Sequence, residues 1–115
     1  MERNFSDMLN TQWDDNKYMC VGLDPDVDKI EAAGFKVGRA EDMIIDFNSQ
    51  VIDETADIAA AYKPNLGFYL QYLEQGGLEA LRATIDYIQH RTKAPVILDC
   101  KVGDIGPTAR AYARA

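Results

Sequence analysis

The chain has 115 residues, of which 47% are hydrophobic and 27% are charged, proportions typical of a folded globular domain rather than a disordered one. Lys and Arg number 12 against 19 Asp and Glu, and because the net charge of −7 comes without a cationic stripe, the composition argues against a nucleic-acid partner. There is neither a basic leader followed by an apolar segment nor an apolar run of membrane-spanning length, so we expect a cytoplasmic protein with no membrane partner.

The amino-terminal segment has the pattern of a short amphipathic helix. Its apolar residues recur at helical spacing and are Phe5, Met8, Leu9 and Trp13. The run YMCVGL, residues 18–23, then predicts a first strand. We expect this strand to end at Asp24, because Pro25 cannot donate to a ladder.

The rest of the chain alternates predicted helices and strands. Residues 41–57 have the pattern of an amphipathic helix, and residues 58–63 predict a short apolar strand before a proline. Residues 77–90 repeat the helical spacing, and residues 95–101 predict a third strand. Pro107 then begins another helix. This order predicts an α/β fold with about three parallel strands, flanking helices and right-handed crossovers.

Charged residues follow or end all three predicted strands. They are Asp24, Lys63, Asp99, Lys101 and Asp104. Ligands of parallel α/β folds bind at the carboxyl ends of the strands, so these side chains are expected to converge on one site. Asp99 and Lys101 share a strand face, and a lysine held between carboxylates stays protonated and can donate a proton. The alternatives are an ion pair that caps the sheet edge and, for Asp24, a simple turn former.

Two cysteines and two further polar residues say less about function. Cys20 and Cys100 have no metal-ligand spacing, so we expect free thiols and no metal site. Thr108 either belongs to the first turn of a helix or reaches a ligand through its hydroxyl. His90 ends a predicted helix, where a surface position is expected.

Three motifs in order resemble one family. They are VGLDPD at 21–26, AAYKPNLGFY at 60–69 and DCKVGDIGPT at 99–108, the last of which fits the pattern DxKxxDIxxT. The sequence is similar to the longer bacterial subfamily of orotidine 5′-phosphate decarboxylases. The resemblance implies a (β/α)8 TIM barrel that acts as a homodimer without metal or cofactor. Its substrate would be orotidine 5′-phosphate, converted to uridine monophosphate and carbon dioxide.

The resemblance also implies roles for individual residues. The alternating catalytic network would be Lys63, Asp99, Lys101 and Asp104. Within it, Lys101 would deliver a proton to ring carbon six as carbon dioxide leaves. Substrate-binding positions would be Asp24, Lys63, Ile105 and Thr108, with Asp24 on the ribose. Asp104 and Thr108 would reach into the active site of the neighbouring subunit.

The chain departs from the family in length. Three strand–helix units cannot close an eight-stranded barrel, and the later strands of the family supply the phosphate-binding loop. We therefore expect residues 1–115 to be an incomplete barrel, the N-terminal portion of the decarboxylase domain, weak or inactive alone. Its uncovered strand edge and apolar faces are expected to drive formation of a homodimer or a higher oligomer.

Two other functions are kept open. One is a magnesium-dependent sugar-phosphate decarboxylase or aldolase of the same suprafamily, which has a similar DxKxxD strand. The segment KPNLG at 63–67, together with Ile105 and Thr108, favours the orotidine enzyme. The other is a non-catalytic half-barrel that serves only in folding or assembly. Dependence on magnesium would indicate the first, and activity gained on mixing with a carboxyl-terminal half would indicate the second.

Overall fold

Two parallel strands and the helices that connect them form the centre of the fold. The computed structural model describes residues 3–35, 38–100 and 106–114, without the side chain of Tyr112. The strands are β1 (Met19–Leu23) and β2 (Ala59–Pro64). The helices are α1 (Phe5–Asp14), α2 (Val27–Ala32), α3 (Ala40–Thr55), α4 (Leu66–Leu70), α5 (Gly77–Arg91) and α6 (Gly106–Ala113), with a 3-10 turn at Leu73–Gln75. The predicted α/β alternation is confirmed.

Strand β2 is paired on both sides. On one side β1 runs parallel to it, with Leu23 opposite Pro64. On the other side the segment 95–99 runs parallel, because Ile97 N donates to Tyr62 O at 2.8 Å and Asp99 N donates to Pro64 O at 3.0 Å. The order of the three segments therefore follows their order along the chain.

The predicted third strand, 95–101, is less regular than expected over its described part. It makes two isolated parallel bridges, Tyr62 with Val96 and Asn65 with Asp99, instead of a continuous ladder. Lys63 and Pro64 lie between the two bridges, and Pro64 has no backbone N–H to donate to the neighbouring segment. The proline therefore interrupts the ladder, although its carbonyl still accepts from Asp99.

Two short helices were not predicted. Each follows the carboxyl end of a strand and begins at a capping side chain. In α2, Asp26 Oδ1 accepts from the backbone N–H groups of Asp28 and Lys29, and in α4, Asn65 Oδ1 accepts from Gly67 N at 3.2 Å. The chain therefore turns away from the sheet immediately after each strand.

The core lies between the sheet and helices α3 and α5. It comprises two clusters, one of Ile30, Ala40, Met43, Ile44, Tyr69, Ala80 and Leu81, and one of Leu23, Ile52, Ala59, Tyr62, Ile88 and Ala94. The helical spacing of residues 77–90 predicts that Leu78 lies on the apolar face with Leu81, Ile85 and Ile88, and this is wrong, since Leu78 is 40% exposed in the first turn of α5.

Helix α1 packs differently from its amphipathic pattern. Phe5 and Trp13 are about half exposed, whereas Gln12 is buried and donates through Nε2 to Ala59 O at 3.1 Å. The apolar face is therefore only partly covered by the described residues. A single polar side chain ties the helix to the start of β2.

Both cysteines are free thiols and exposed, although they lie in apolar stretches of sequence. Across residues 3–35, 38–100 and 106–114, no cluster of three His, Cys, Asp or Glu side chains is placed to hold a metal ion. Among the helices of that part of the chain, none combines the length and the apolar character needed to cross a membrane.

Candidate functional site

An ion pair lies where β2 meets the third segment. Lys63 follows four buried residues of β2, and its Nζ lies 3.3 Å from Asp99 Oδ2. The side chains are 38% and 22% exposed, so the carboxylate is the more enclosed partner. The backbone hydrogen bonds between β2 and the segment 95–99 fix this register. The sheet itself therefore places the two charges together.

Asp24 adds a second carboxylate from the end of β1. Partial burial is the main influence on its pKa and raises it above the ordinary range, although Lys63 and a hydrogen bond from the backbone N–H of Asn65 act in the opposite direction. The negative charge of Asp99 adds to the upward shift. Asp24 therefore lies within the electrostatic influence of both Lys63 and Asp99.

This arrangement, which we call the strand-end cluster (Asp24, Lys63 and Asp99), has the features of a ligand site. It lies at the carboxyl ends of parallel strands, where α/β proteins bind small molecules. A partly desolvated carboxyl group with a raised pKa beside a fixed ion pair is more common at functional sites than on ordinary surfaces. The ammonium group can bind an anionic ligand, and the carboxylates can accept hydrogen bonds from hydroxyl groups.

The other predicted site residues are less completely placed. Thr108 is half-buried in α6, a helix that packs against α4. Lys101, Asp104 and Ile105 lie outside the described residues. Their proposed part in the site therefore depends on the sequence motif alone.

Sequence reasoning missed two residues that support the cluster. Asn65 caps α4 with its side chain, and its backbone N–H lowers the pKa of Asp24. Tyr69 is fully buried, and its hydroxyl donates to Leu23 O at 2.8 Å. The cap was foreseeable from an Asn just before a helical turn. Nothing in the sequence indicated the role of Tyr69, because its hydrogen-bond partner is a backbone carbonyl 46 residues away.

A second polar region lies at the opposite end of the strands. An open cleft of about 1100 Å³ is lined there by residues that include Gln12, Lys17, Asp53, Arg91 and Lys93. Arg91 Nε lies 3.2 Å from Asp53 Oδ1, and both side chains are nearly half exposed. Ligands of parallel α/β folds bind at the other end, so this cleft is not the candidate site.

The chain is similar in sequence to several orotidine 5′-phosphate decarboxylases. No protein-family model matches the chain. Orotidine 5′-phosphate decarboxylase of Thermomicrobium roseum is 46% identical over 97 residues, which are 84% of this chain and 32% of the relative. The enzyme of the same name from Dechloromonas aromatica is 42% identical over 110 residues, which are 95% of this chain and 39% of the relative. The chain thus spans roughly a third of the length of these relatives.

Solved structures agree with the sequence comparison. OMP decarboxylase of Leishmania donovani matches with a TM-score of 0.65 and 34% identity over 96% of this chain and 38% of that protein. Orotidine 5′-monophosphate decarboxylase of Plasmodium berghei matches with a TM-score of 0.62 and 25% identity over 93% of this chain and 46% of that one. The fold is therefore part of an α/β barrel, and the resemblance to an N-terminal portion of these decarboxylases is confirmed.

Proposed function

We propose that residues 1–115 are the N-terminal portion of an orotidine 5′-phosphate decarboxylase domain, which converts orotidine 5′-phosphate to uridine monophosphate and carbon dioxide in pyrimidine biosynthesis. The observation that carries the proposal is the strand-end cluster. Lys63 and Asp99 lie 3.3 Å apart at the ends of adjoining parallel segments, and Asp24 lies near both. These are positions at which the sequence matches the motifs of the family.

In this proposal the charges act on the developing transition state. A carboxylate of the cluster close to the carboxylate of the substrate disfavours the bound ground state. A fixed ammonium stabilises the carbanion that forms as carbon dioxide leaves. Lys63 and Asp99 would form one alternating network with Lys101 and Asp104. Within it, Lys101 would give its proton to ring carbon six. Asp24 would accept a hydrogen bond from the ribose, and Ile105 and Thr108 would contact the substrate.

We further propose that the protein is cytoplasmic and works as a homodimer or larger oligomer without a cofactor. Tyr18, Met19 and Leu98 are 69%, 57% and 43% exposed, which is unusual for large apolar side chains next to a sheet. Within the described part of the chain, β1 is paired on one side only. Association would cover this surface, and it would allow Asp104 and Thr108 to reach a neighbouring site.

A chimera tests the catalytic proposal directly. Residues 1–115 replace the matching portion of the Thermomicrobium roseum decarboxylase, and loss of substrate is followed by its ultraviolet absorbance. We expect decarboxylation by the chimera and a loss of at least about 100-fold in kcat/KM for Lys63→Ala, as for removal of other groups that stabilise transition-state charge. Lys93→Ala is the matched control, because this exposed lysine lines the cleft at the opposite end of the strands. A chimera in which Lys63→Ala is as active as the parent would contradict the proposal.

Two further measurements separate the alternatives. Activity of the chimera should persist in chelator, whereas dependence on added magnesium would indicate the sugar-phosphate enzymes. Residues 1–115 alone should show little or no turnover, because binding energy from a substrate phosphate normally helps to lower the barrier. Activity that appears only on mixing with a carboxyl-terminal portion would indicate the half-barrel alternative, and loss of that activity in Lys63→Ala would show that the chain still contributes its site.

A further inference from the structure

A chain of buried hydrogen bonds runs from helix α5 to the end of β1. Asn48 on α3 donates through Nδ2 to Tyr69 Oη and to Thr84 Oγ1, both at 3.0 Å. Tyr69 Oη donates to Leu23 O, and Thr84 Oγ1 donates to Ala80 O, both at 2.8 Å. Asn48, Tyr69 and Thr84 are at most 3% exposed. Three helices therefore cooperate in one contact to β1.

The direction of every bond in this network is fixed. Each hydroxyl has one proton, and the protons of Tyr69 and Thr84 are both given to backbone carbonyls. Both hydroxyl oxygens must then accept, and the amide group of Asn48 is the donor to each. If the amide group of Asn48 were flipped, its Oδ1 would face the hydroxyl oxygens of Tyr69 and Thr84, whose protons are already donated to backbone carbonyls. Asn48 therefore holds Tyr69 in a single orientation.

The carbonyl bound by Tyr69 belongs to the peptide bond that leads directly into Asp24. The backbone N–H of Asn65 lies close enough to the carboxyl group of Asp24 to favour its charged form. Asn65 caps α4, and Tyr69 lies within the same helix. The main chain that leads into Asp24 is thus held by Tyr69, and its carboxyl group lies close to the backbone of Asn65, the cap of the same helix.

We propose that Tyr69, oriented by Asn48 and Thr84, is a positioning residue that fixes Asp24 for ligand binding at the strand-end cluster. The proposal rests on the proposed function for what Asp24 binds, but the positioning itself can be measured without substrate. The electrostatic proximity of the two groups supports it, since the charge of Asp24 contributes to the raised pKa of Tyr69.

Tyr62 provides a matched control on the same sheet. It is as fully buried as Tyr69 and its hydroxyl is also hydrogen-bonded. Its partners, however, are Thr55 Oγ1 at 2.8 Å and Ile52 O at 3.3 Å, in the last turns of α3. Removal of this hydroxyl leaves the contacts of Asp24 in place, so Tyr62→Phe reports only the general effect of losing a buried hydroxyl.

The experiment is an NMR titration of the 115-residue chain between acid and neutral pH. The carboxyl carbon of Asp24 and the backbone amide proton of Asn65 both report ionisation of Asp24. In Tyr69→Phe the carboxyl is freer to reach solvent, so we expect its pKa to fall toward the ordinary value and the shift change of the Asn65 amide to halve at least. In Tyr62→Phe both signals should follow the parent.

A second variant keeps the test decisive if Tyr69→Phe does not fold. Thr84→Val removes one of the two acceptors of Asn48, and it should produce a smaller change in the same direction. The proposal is overturned if folded Tyr69→Phe titrates like the parent, or, where that variant is unfolded, if Thr84→Val does. Failure of the chimera to decarboxylate orotidine 5′-phosphate would not alter these titrations, so the two proposals fail separately.

Discussion

The two ends of the sheet each carry an ion pair of nearly the same length, yet the pairs differ in what holds them. Lys63 and Asp99 lie 3.3 Å apart at the carboxyl end, and Arg91 and Asp53 lie 3.2 Å apart at the amino end. The first pair comes from two segments joined by backbone hydrogen bonds. The second joins exposed side chains on the surfaces of α3 and α5. Length alone therefore does not distinguish a candidate site from a surface pair.

The surroundings of the two pairs make the difference. At the carboxyl end, a third charged group, Asp24, is partly desolvated and its pKa is raised. At the amino end, Asp53 accepts additionally from the hydroxyl of Tyr87 at 2.6 Å, in a solvated setting. A desolvated carboxyl group costs folding free energy, and such a cost is common where a protein binds a ligand. The comparison predicts four outcomes that differ in size.

The largest effect is expected where the backbone that supports the strand-end cluster is most tightly packed. A Cβ added at Gly77 would lie 2.0 Å from Tyr69 O, so Gly77→Ala must displace α4 or α5. We expect a loss of about 1–3 kcal/mol in the free energy of unfolding, measured with urea. Gly22→Ala is the control, since its Cβ would meet nothing nearer than Asp24 Oδ2 at 3.9 Å. Equal stability of the two variants would show that α4 and α5 can shift around the added Cβ at little cost in free energy.

The next largest effect is the coupling free energy between Lys63 and Asp99, the ion pair whose register the backbone fixes. In a double-mutant cycle with Lys63→Ala and Asp99→Ala, we expect a coupling free energy of about 1 kcal/mol, the upper part of the range for partly exposed pairs. The backbone fixes the register of the two residues, so less side-chain freedom is lost on pairing. Urea unfolding of the parent, both single variants and the double variant gives the value. A coupling no larger than that of Arg91 with Asp53 would remove the proposed distinction.

Substitution of Asp24 is expected to change the free energy of unfolding by less, and to increase it rather than decrease it at neutral pH. Its folded-state pKa is raised, so the folded chain binds this proton more tightly than the unfolded chain does. The associated stability is complete below the ordinary pKa and is lost as pH rises through the raised pKa. Asp24→Asn should therefore be the more stable protein at pH 7, with the difference vanishing in acid. Urea titrations across pH measure this, and a variant that is less stable at pH 7 would contradict it.

The smallest effect is expected at the amino end. A cycle with Arg91→Ala and Asp53→Ala should give a coupling below about 0.5 kcal/mol, because both side chains are exposed and flexible. About 1 M salt should abolish it by screening. Persistence of the coupling at high salt would show that this pair is more enclosed than its exposure indicates.

The sequence predicted the order of the elements because hydrophobic spacing and proline positions are local properties. Strands β1 and β2 and helices α3 and α5 lie within one or two residues of their expected bounds. The boundary at Pro64 was misjudged by one residue, since a proline that ends a strand still offers its carbonyl. Helices α2 and α4 were missed because each is a single capped turn or little more, too short for a periodic pattern.

For the candidate site, the sequence by itself determined which residues are charged and that they follow strands. Parallel pairing then implied that Asp24, Lys63 and Asp99 share one edge of the sheet. Only the tertiary structure decided that Lys63 pairs with Asp99, that the backbone N–H of Asn65 lies near Asp24, and that Tyr69 binds the carbonyl before Asp24. These contacts join residues far apart in the chain, and they depend on backbone groups: the hydrogen bonds that set the register of Lys63 and Asp99, and the carbonyl that Tyr69 binds. No residue type marks them in advance, so they depend on how the helices pack against the sheet.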